Sequence, residues 1–357
     1  MIEVQSPLAC LCTSVGNEGF VSVYSALKAF YKEYIKVIGC DIRPDAYGLY
    51  LADKGFLVPK REEPDFAEKL IEIAQREACS VILPLSTFDQ EYFAANRAIF
   101  EKRGMRVVVS DFFAVSIAND KLKLYEALKD GCVPIADYQP VYDQSSLLAG
   151  LKKLGYPTKP VVFKLCHSTA ARGLVIVREK TTIFESIHRN SGPPEVSSEE
   201  LLQILPYLND DNAILCEYLP GDEYSVDVLS LRGNPIVSIV RKRYSSFGGL
   251  ATHAEVVEDL EIQGLAESVV RTVGLSYTSN VQFRKNSAGI PCLMEVNPRI
   301  PGTIGLTVEA GVNMPALALE LAVGRPIPKQ FTINYGMRVM RHWGSIYHGG
   351  RLLKKED

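Results

Sequence analysis

Glu295, Asn297 and Arg299 occupy every second position of LMEVNPRIPG, residues 293–302. Alternate residues of a strand share a face, so an acid, an amide and a guanidinium converge there if the chain stays extended. Pro298 favours that geometry, because the residue before a proline is held in the extended region. A buried strand face selects Val or Ile, and a carboxylate placed there without compensation is costly. An acid, an amide oxygen and a guanidinium in a row suit a hard cation beside a phosphate. The same residues also suit a strand end that turns polar as it meets solvent.

Other stretches offer partners for such a group. In VVFKLCHSTAARGLVIV, two strands flank a small polar loop whose backbone amides can close over phosphates. Lys164 lies mid-strand between Phe163 and Leu165, where a lysine must snorkel or find an anion. In AILCEYLPGDEYSVDVL, Glu217 ends an apolar strand and Pro220-Gly221 makes a turn. Glu223, Ser225 and Asp227 then alternate along the next strand. That arrangement can seat a flat base against Glu217, Tyr218 and Leu219, with Glu223 reaching sugar hydroxyls. An ordinary hairpin with a polar outer face has the same composition. PIVSIVRKRYSSFGGLATHAEVV adds a strand with Arg241 and Arg243, a glycine pair and His253, which could bind an anion and serve as substrate groups, or simply form a solvated basic edge. The tail NYGMRVMRHWGSIYHGG carries Arg338, Arg341 and His342 beside the single Trp, as substrate groups or as a basic strand closing a sheet.

The elements that position these residues follow from periodicity. LACLCTSV, IKVIGCDI, KGFLVPK, SVILPLS and MRVVVSD read as strands. FVSVYSALKAFYKEY, Asp65 to Glu77 and Asp89 to Lys102 read as helices between them. Strands alternating with helices predict a parallel, doubly wound α/β sheet. Ligands of such sheets sit beyond the carboxyl ends of the strands. Ser14 to Glu18, Asp41 with Arg43, and Ser86 to Asp89 would then share one crevice rim. TSVGNEG lacks the full dinucleotide fingerprint and serves as a strand-to-helix turn or as a substrate contact. Asn119 or Asp120 can cap a helix running to about Lys129, stopped by Gly131.

Composition narrows the classes. The chain has 357 residues, 47% hydrophobic and 23% charged, with net charge −3, enough for two or three domains with ample core. No strongly basic segment supports nucleic-acid binding. No apolar run reaches membrane-spanning length, and MIEVQSPLACLCTSV has no basic region ahead of a signal-like core. The eight cysteines are scattered without a CxxC pair, and Cys10 and Cys12 point the same way along one strand as core. A cytoplasmic protein with reduced thiols is expected.

SNVQFRKNSAGIPCLMEVNPRIPGTIGLTVEAGVNMPALALELAVGRPIP resembles the metal-binding end of the ATP-grasp superfamily. It is most similar to the carbamoyl-phosphate-synthase large-chain branch, which shares NVQF, a hairpin and then E-x-NPR. The resemblance covers roughly Asn119 to Pro328. It implies a pre-ATP-grasp domain over 1–112 and a two-lobed ATP-grasp α+β domain over 113–330, its lid-like small lobe at about 134–218. Residues 331–357 would pack on that domain. Gln282, Glu295 and Asn297 would hold one or two magnesium ions, with manganese an acceptable substitute, between ATP phosphates. Lys121 and Lys164 match the two basic positions that meet the nucleotide, both commonly arginine in the synthase branch. Glu217 and the backbone through Tyr218 and Leu219 would face adenine, and Glu223 the ribose. Arg299 would hold the transferred phosphoryl group or a substrate carboxylate. His253 lies where the branch often has a histidine after a glycine turn. The phosphate-covering loop, glycine-rich in the family, offers only Gly173 in CHSTAARG.

The chemistry implied is acyl phosphate formation by ATP followed by attack of an amine, which makes an amide or peptide-like bond. Positioning and charge neutralisation carry such a step, so no nucleophile triad is needed and Cys166 reads as packing. Carboxylation through carboxyphosphate would use the same ATP machinery. A nucleotide-binding regulatory subunit without turnover would retain the fold alone. No glutaminase domain or second synthetase half fits within 357 residues, so free ammonia or an amino compound is the expected nitrogen donor. The expected partners are a small-molecule carboxylate and amine, with neither nucleic acid nor membrane, and the resemblance allows a homodimer.

Overall fold

The computed structural model describes residues 7–168, 173–179, 192–207 and 212–354. Its first sheet contains β1 (Leu8–Thr13), β2 (Ile35–Asp41), β3 (Lys54–Leu57), β4 (Val81–Pro84) and β5 (Arg106–Val107). Their spatial order is β3-β2-β1-β4-β5 and every pairing is parallel. The crossovers run through α1 (Phe20–Tyr31), α2 (Gly48–Leu51), α3 (Phe66–Arg76) and α4 (Thr87–Glu101). The expected doubly wound sheet is therefore present. Its strand order reverses between β1 and β4, which places the loop after β1 beside the start of α4. Cys10 and Cys12 point into one core while Leu11 points into another, as strand alternation requires. All eight cysteines are free thiols, and only Cys132 is exposed.

Two helices follow that the sequence pattern did not separate. Asp111 caps α5 (Phe112–Ala118), accepting from the Phe113 amide. Asp120, not Asn119, caps α6 (Lys121–Leu128), accepting from the amides of Leu122 and Lys123. This cap sets Lys121 as the first residue of its helix.

The second sheet holds β6 (Tyr138–Val141), β7 (Val161–Leu165), β8 (Leu174–Val177), β9 (Glu195–Val196) and β10 (Ala213–Glu217), in the order β6-β10-β7-β8-β9. Strands β7 and β8 form the expected antiparallel pair. Residues 169–172 of the loop between them lie outside the described residues. The third sheet is antiparallel and holds β11 (Glu223–Leu231), β12 (Asn234–Phe247), β13 (Leu250–Val256), β14 (Tyr277–Lys285), β15 (Pro291–Asn297) and β16 (Arg338–Met340). Their order is β15-β14-β11-β12-β13-β16.

One local reading needs correcting. The Pro220-Gly221 turn is no hairpin, because β10 belongs to the second sheet and β11 to the third. Gly221 makes the crossing: its amide donates to the Lys285 carbonyl, and a Cβ there would lie 2.7 Å from that oxygen. The Gly248-Gly249 pair, with φ of 56° and 79°, does form a true two-residue hairpin turn between β12 and β13.

The third sheet has one apolar and one polar face. Tyr224, Val226, Val228, Val240, Val281 and Phe283 bury against α6 and the helix Leu260–Val273. Residues of the opposite face form polar rungs in register. Glu223 stands between Arg243 and Arg284, Ser225 between Arg241 and Gln282, and Asp227 opposite Asn280. Gln282 then pairs with Glu295, and Asn280 with Asn297. A further core joins the first sheet to β12, β13 and the helix Met314–Ala322, whereas the second sheet encloses a small core of its own.

Candidate functional site

The polar face of the third sheet carries the residues expected from LMEVNPRIPG. Asn297 Nδ2 donates to Glu295 Oε1 at 3.0 Å, and Arg299 Nη2 reaches Asn297 Oδ1 at 3.4 Å. The three therefore converge, as extended backbone before Pro298 requires. Gln282, on the neighbouring strand, donates from Nε2 to Asn280 Oδ1 at 2.9 Å and accepts at Oε1 from Arg243 Nη1 at 3.2 Å. Arg243 also pairs with Glu223 at 2.6 Å and donates to the Gly249 carbonyl at 2.9 Å. Arg299 Nε donates to Thr87 Oγ1 at 3.1 Å, so the first residue of α4 touches this cluster from the first domain.

Two lysines complete the group from the other side. Lys121 and Lys164 are both buried, Lys121 donating from Nζ to the Ser168 carbonyl at 3.1 Å and to its hydroxyl at 3.3 Å. Lys164 therefore does not lie on a solvated strand face. Burial pushes the Lys121 ammonium down, and the Glu295 charge opposes that shift. Burial would raise Glu295, but Lys121, the Asn297 hydrogen bond, Lys164 and Arg243 outweigh it and hold the carboxyl below its ordinary range. Arg243 and Arg299 are each pushed down by burial, with Glu223 and Glu295 respectively as the main opposing charges. Four cations thus surround two carboxylates, an excess that suits a polyanion.

Glu217, Tyr218 and Leu219 lie at the joint between the second and third sheets. The Asp137 amide donates to Glu217 Oε1 at 3.3 Å, the Arg178 guanidinium stands 5.2 Å from the Tyr218 ring centre, and Leu219 is buried. Glu223 enters the same joint, held by Arg243 and, at 3.9 Å, by Arg284. Cys166 is buried packing, its thiol pushed up to about 11 by burial.

Two expected substrate residues stand elsewhere. Arg241 is 1% exposed beneath the polar surface, paired with Asp227 at 2.7 Å and hydrogen-bonded to Thr303 Oγ1. It is neither a solvated edge nor a surface contact. Asn280 Nδ2 donates to the same Asp227 oxygen at 2.7 Å. His253 packs on the Tyr244 ring, centroids 4.7 Å apart, on the side of Glu255. No described hydrogen bond or ion pair links it to Glu295, Gln282 or Arg243. Along the first domain's rim, Asp89 accepts from Thr13 and Ser14 at 2.7 Å each, and Asp41 Oδ2 accepts from the Gly16 amide at 2.8 Å. These acids shape their own loops. Arg43 leans toward exposed Asp45 at 3.9 Å.

Asn280 and Arg284 belong to the site or its support without having been singled out, whereas Asp227 and Thr87 fell within the polar strand and the crevice rim read from the sequence. A signal existed for Asn280, which lies two residues before Gln282 and so on its face. Thr87 lay within the expected rim, but only the packing of two domains brings it to Arg299.

The donor chemistry fits a magnesium ion. Gln282, Glu295 and Asn297 provide one carboxylate and two amide oxygens, a hard set, and Glu295 Oε2 accepts no hydrogen bond from any described residue. Among the described residues no trio of His, Cys, Asp and Glu gathers as a metal centre, so such an ion would depend on oxygens its ligand brings.

Comparison with known proteins gives two family models. ATP-grasp in the biosynthetic pathway with Ter operon matches residues 209–343, and the PylC-like N-terminal domain matches residues 10–108. The carbamoyl phosphate synthase large chain of Clostridium acetobutylicum is 21% identical over 248 residues, covering 66% of this chain and 21% of that protein. Carbamoyl-phosphate synthase of Methanobrevibacter smithii is 24% identical over 308 residues, covering 82% and 75%. The chain therefore spans only about a fifth of the large chain's length. Among solved structures, the ADP complex of an N5-carboxyaminoimidazole ribonucleotide synthetase superposes with TM-score 0.68 at 16% identity, covering 94% of this chain and 81% of that one. The biotin carboxylase domain dimer of Hydrogenobacter thermophilus 2-oxoglutarate carboxylase, with MgADP and bicarbonate, gives 0.70 at 17%, covering 94% and 74%. No helix among the described residues is long and apolar enough to cross a membrane. The chain therefore carries an ATP-grasp domain, matched over residues 209–343, behind a PylC-like N-terminal domain matched over residues 10–108, and it shares the fold of these solved structures.

Proposed function

We propose that the chain is an ADP-forming carboxylate–amine ligase acting on small molecules in the cytoplasm. The observation that carries this reading is Glu295, with Gln282 and Asn297 beside it, inside the ring of Lys121, Lys164, Arg243 and Arg299. A carboxylate oxygen of the acid substrate attacks the terminal phosphorus of ATP, the bond to the bridging oxygen breaks, and ADP leaves. The amine then attacks the acyl carbon, the C–N bond forms, phosphate leaves with the C–O electron pair, and the nitrogen gives up a proton.

In this reading Lys121 and Lys164 hold phosphate oxygens, and Arg299 holds the transferring phosphoryl group or the acid it meets. Glu217 and the backbone through Tyr218 and Leu219 border adenine, and Glu223 the ribose. Gln282, Glu295 and Asn297 would hold magnesium, which neutralises charge on the transferring group when bound. The protein's own part is to position, to neutralise and to keep water from the mixed anhydride. Residues 1–112 serve as the pre-ATP-grasp domain, 113–330 as the ATP-grasp domain and 331–357 as a segment packed upon it.

The test is ADP release with amino acids supplied in pairs, with mass spectrometry of the products. Magnesium-dependent ADP release matched by a condensed product is expected. Release that requires bicarbonate and no amine would replace this reading with carboxylation. ATP affinity that is equal with and without magnesium in calorimetry would remove the metal assignment.

A further inference from the structure

Beneath the polar face of the third sheet, Asp227 and Asn280 are 0% and 2% exposed, with Arg241 buried beside them. The ion pair there is single-pronged. Arg241 Nη2 donates to Asp227 Oδ1 at 2.7 Å, whereas Asp227 Oδ2 and Arg241 Nε are buried without a hydrogen-bond partner among the described residues. Guanidinium and carboxylate bind most strongly through two parallel bonds, so stability alone does not explain this geometry.

The oxygen that Arg241 uses is used a second time. Asn280, opposite Asp227 across β11 and β14, donates Nδ2 to the same Oδ1 at 2.7 Å. A carboxylate held by a guanidinium only accepts here, so it dictates how the Asn280 amide turns. The nitrogen of Asn280 faces Asp227, and its oxygen accepts from Gln282 Nε2 at 2.9 Å. With its nitrogen committed, Gln282 presents Oε1 to Arg243 Nη1, a pure donor, at 3.2 Å. Gln282 is also the register partner of Glu295. One buried charge thus sets the direction of two amides in succession.

We propose that Asp227 is a positioning residue that acts through Asn280 to keep the Gln282 oxygen, not its nitrogen, turned into the site. This rests on the ligase reading above and deepens it by naming what orients one of the oxygens assigned to magnesium. An amide shows either end at nearly the same size, and the wrong end sets an N–H donor against a cation. Glu295 needs no such relay, because both ends of a carboxylate are oxygens. Arg241 holds Asp227 in place, and Thr303 Oγ1 accepts from Arg241 in turn.

Asp227→Leu combined with Arg241→Met removes the pair as a unit, since losing one partner alone strands a buried charge. The double variant should keep the wild-type unfolding midpoint in urea. Calorimetry should find MgATP bound about tenfold more weakly, with unchanged affinity for ATP in the presence of a chelator. Gln282→Glu is the rescue, because a carboxylate shows an oxygen whichever way it turns. It should restore MgATP affinity in the double variant but bring no gain in the wild type, where it sets an acceptor against Asn280 Oδ1. Wild-type MgATP affinity in the folded double variant would overturn the proposal. An equal gain from Gln282→Glu in both backgrounds would overturn it too, since added charge then explains the effect. If the double variant does not fold, Asn280→Val cuts the relay with the ion pair intact and faces the same comparisons. The orientation is also read without nucleotide, from the Gln282 side-chain amide in nitrogen–proton spectra. Its protons should exchange more slowly with solvent in the wild type than in the double variant, and equal exchange overturns the relay. A wild-type protein that binds no MgATP but shows the slow exchange removes the ligase reading and leaves the relay standing.

Discussion

Burial works against the charge of Glu295, and cations on three different elements, with the Asn297 hydrogen bond, outweigh it. A group so held serves best when negative charge is shifting nearby, more fully in the transition state than before it. Glu295→Gln preserves shape but deletes the charge. Turnover should fall about a hundredfold, as for loss of one preorganised contact of ~3 kcal/mol. Stability should be little changed, because a buried carboxylate is removed along with its partners' attraction. Paired measurements of ADP release and urea unfolding check both halves; near wild-type turnover would refute the assignment. Arg241 behaves oppositely, since it supports the surface from below. Asp227→Asn leaves its guanidinium buried without a counter-charge and should cost about 3–5 kcal/mol of stability. A loss below about 1 kcal/mol in urea unfolding would show that Thr303 alone suffices as its partner.

At the scale of elements, α2 matters beyond its four residues. A Cβ on Gly48 would stand 2.1 Å from the Val15 carbonyl and 2.6 Å from the Phe20 ring. Gly48→Ala must push the loop after β1 out of place, at a cost of about 1–3 kcal/mol. Because that loop meets Gly302 beside the site, turnover should drop further than the loss of folded protein explains. Thermal unfolding and ADP release on the same sample check this; turnover that falls only in step with the folded fraction would free the site from dependence on the helix. Such short helices are poorly visible in sequence, since GLYL has too few residues to show a period. The parallel sheet was legible because its strands and helices alternate at regular spacing. The E-x-N-x-R run was legible because period two and Pro298 act within one strand. The course from β10 to β11 was not: Pro220-Gly221 announces a turn, and nothing local encodes which sheet the next strand joins. Arg241 and Arg243 look alike in sequence, and their partners distinguish them: Asp227, fourteen residues upstream, holds the first beneath the site, and Glu223 holds the second within it.

Across the whole molecule, the first and third sheets share a core that includes the helix Met314–Ala322, while the second sheet has a small core apart. Native-state hydrogen exchange should find β6, β7 and β10 opening at lower free energy than β1, β2 and β11, with MgADP narrowing the gap. Equal protection in both would contradict this division. One strut crosses from the end of β7 to the first domain: His167 Nε2 lies 2.8 Å from Glu91 Oε1, which also accepts from Asn119 Nδ2 at 2.7 Å. The Glu91 hydrogen bond raises the His167 pKa. Burial would raise Glu91, but His167 and Asn119 overcome it and lower it. The His167 contribution is complete below an unfolded value of about 6.5 and fades as pH climbs through the raised folded value. The Glu91 contribution holds above an unfolded value of about 4.3 and fades as pH falls through the lowered one. His167→Gln should therefore lower the unfolding midpoint most near pH 5.5 and hardly at all near pH 9. The effect should be small, since both groups are partly exposed. A constant difference across that range would mean that the imidazolium is not involved.

The exposed Cys132 lies in the linker between α6 and β6, where the chain enters the second sheet, and the other seven thiols are buried. Burial withholds those seven from alkylating reagents, several of them with raised pKa as well. A maleimide fluorophore added to the native protein should therefore attach at one known place without any substitution. Its anisotropy would then report in real time how the entry to the second sheet responds to added nucleotide.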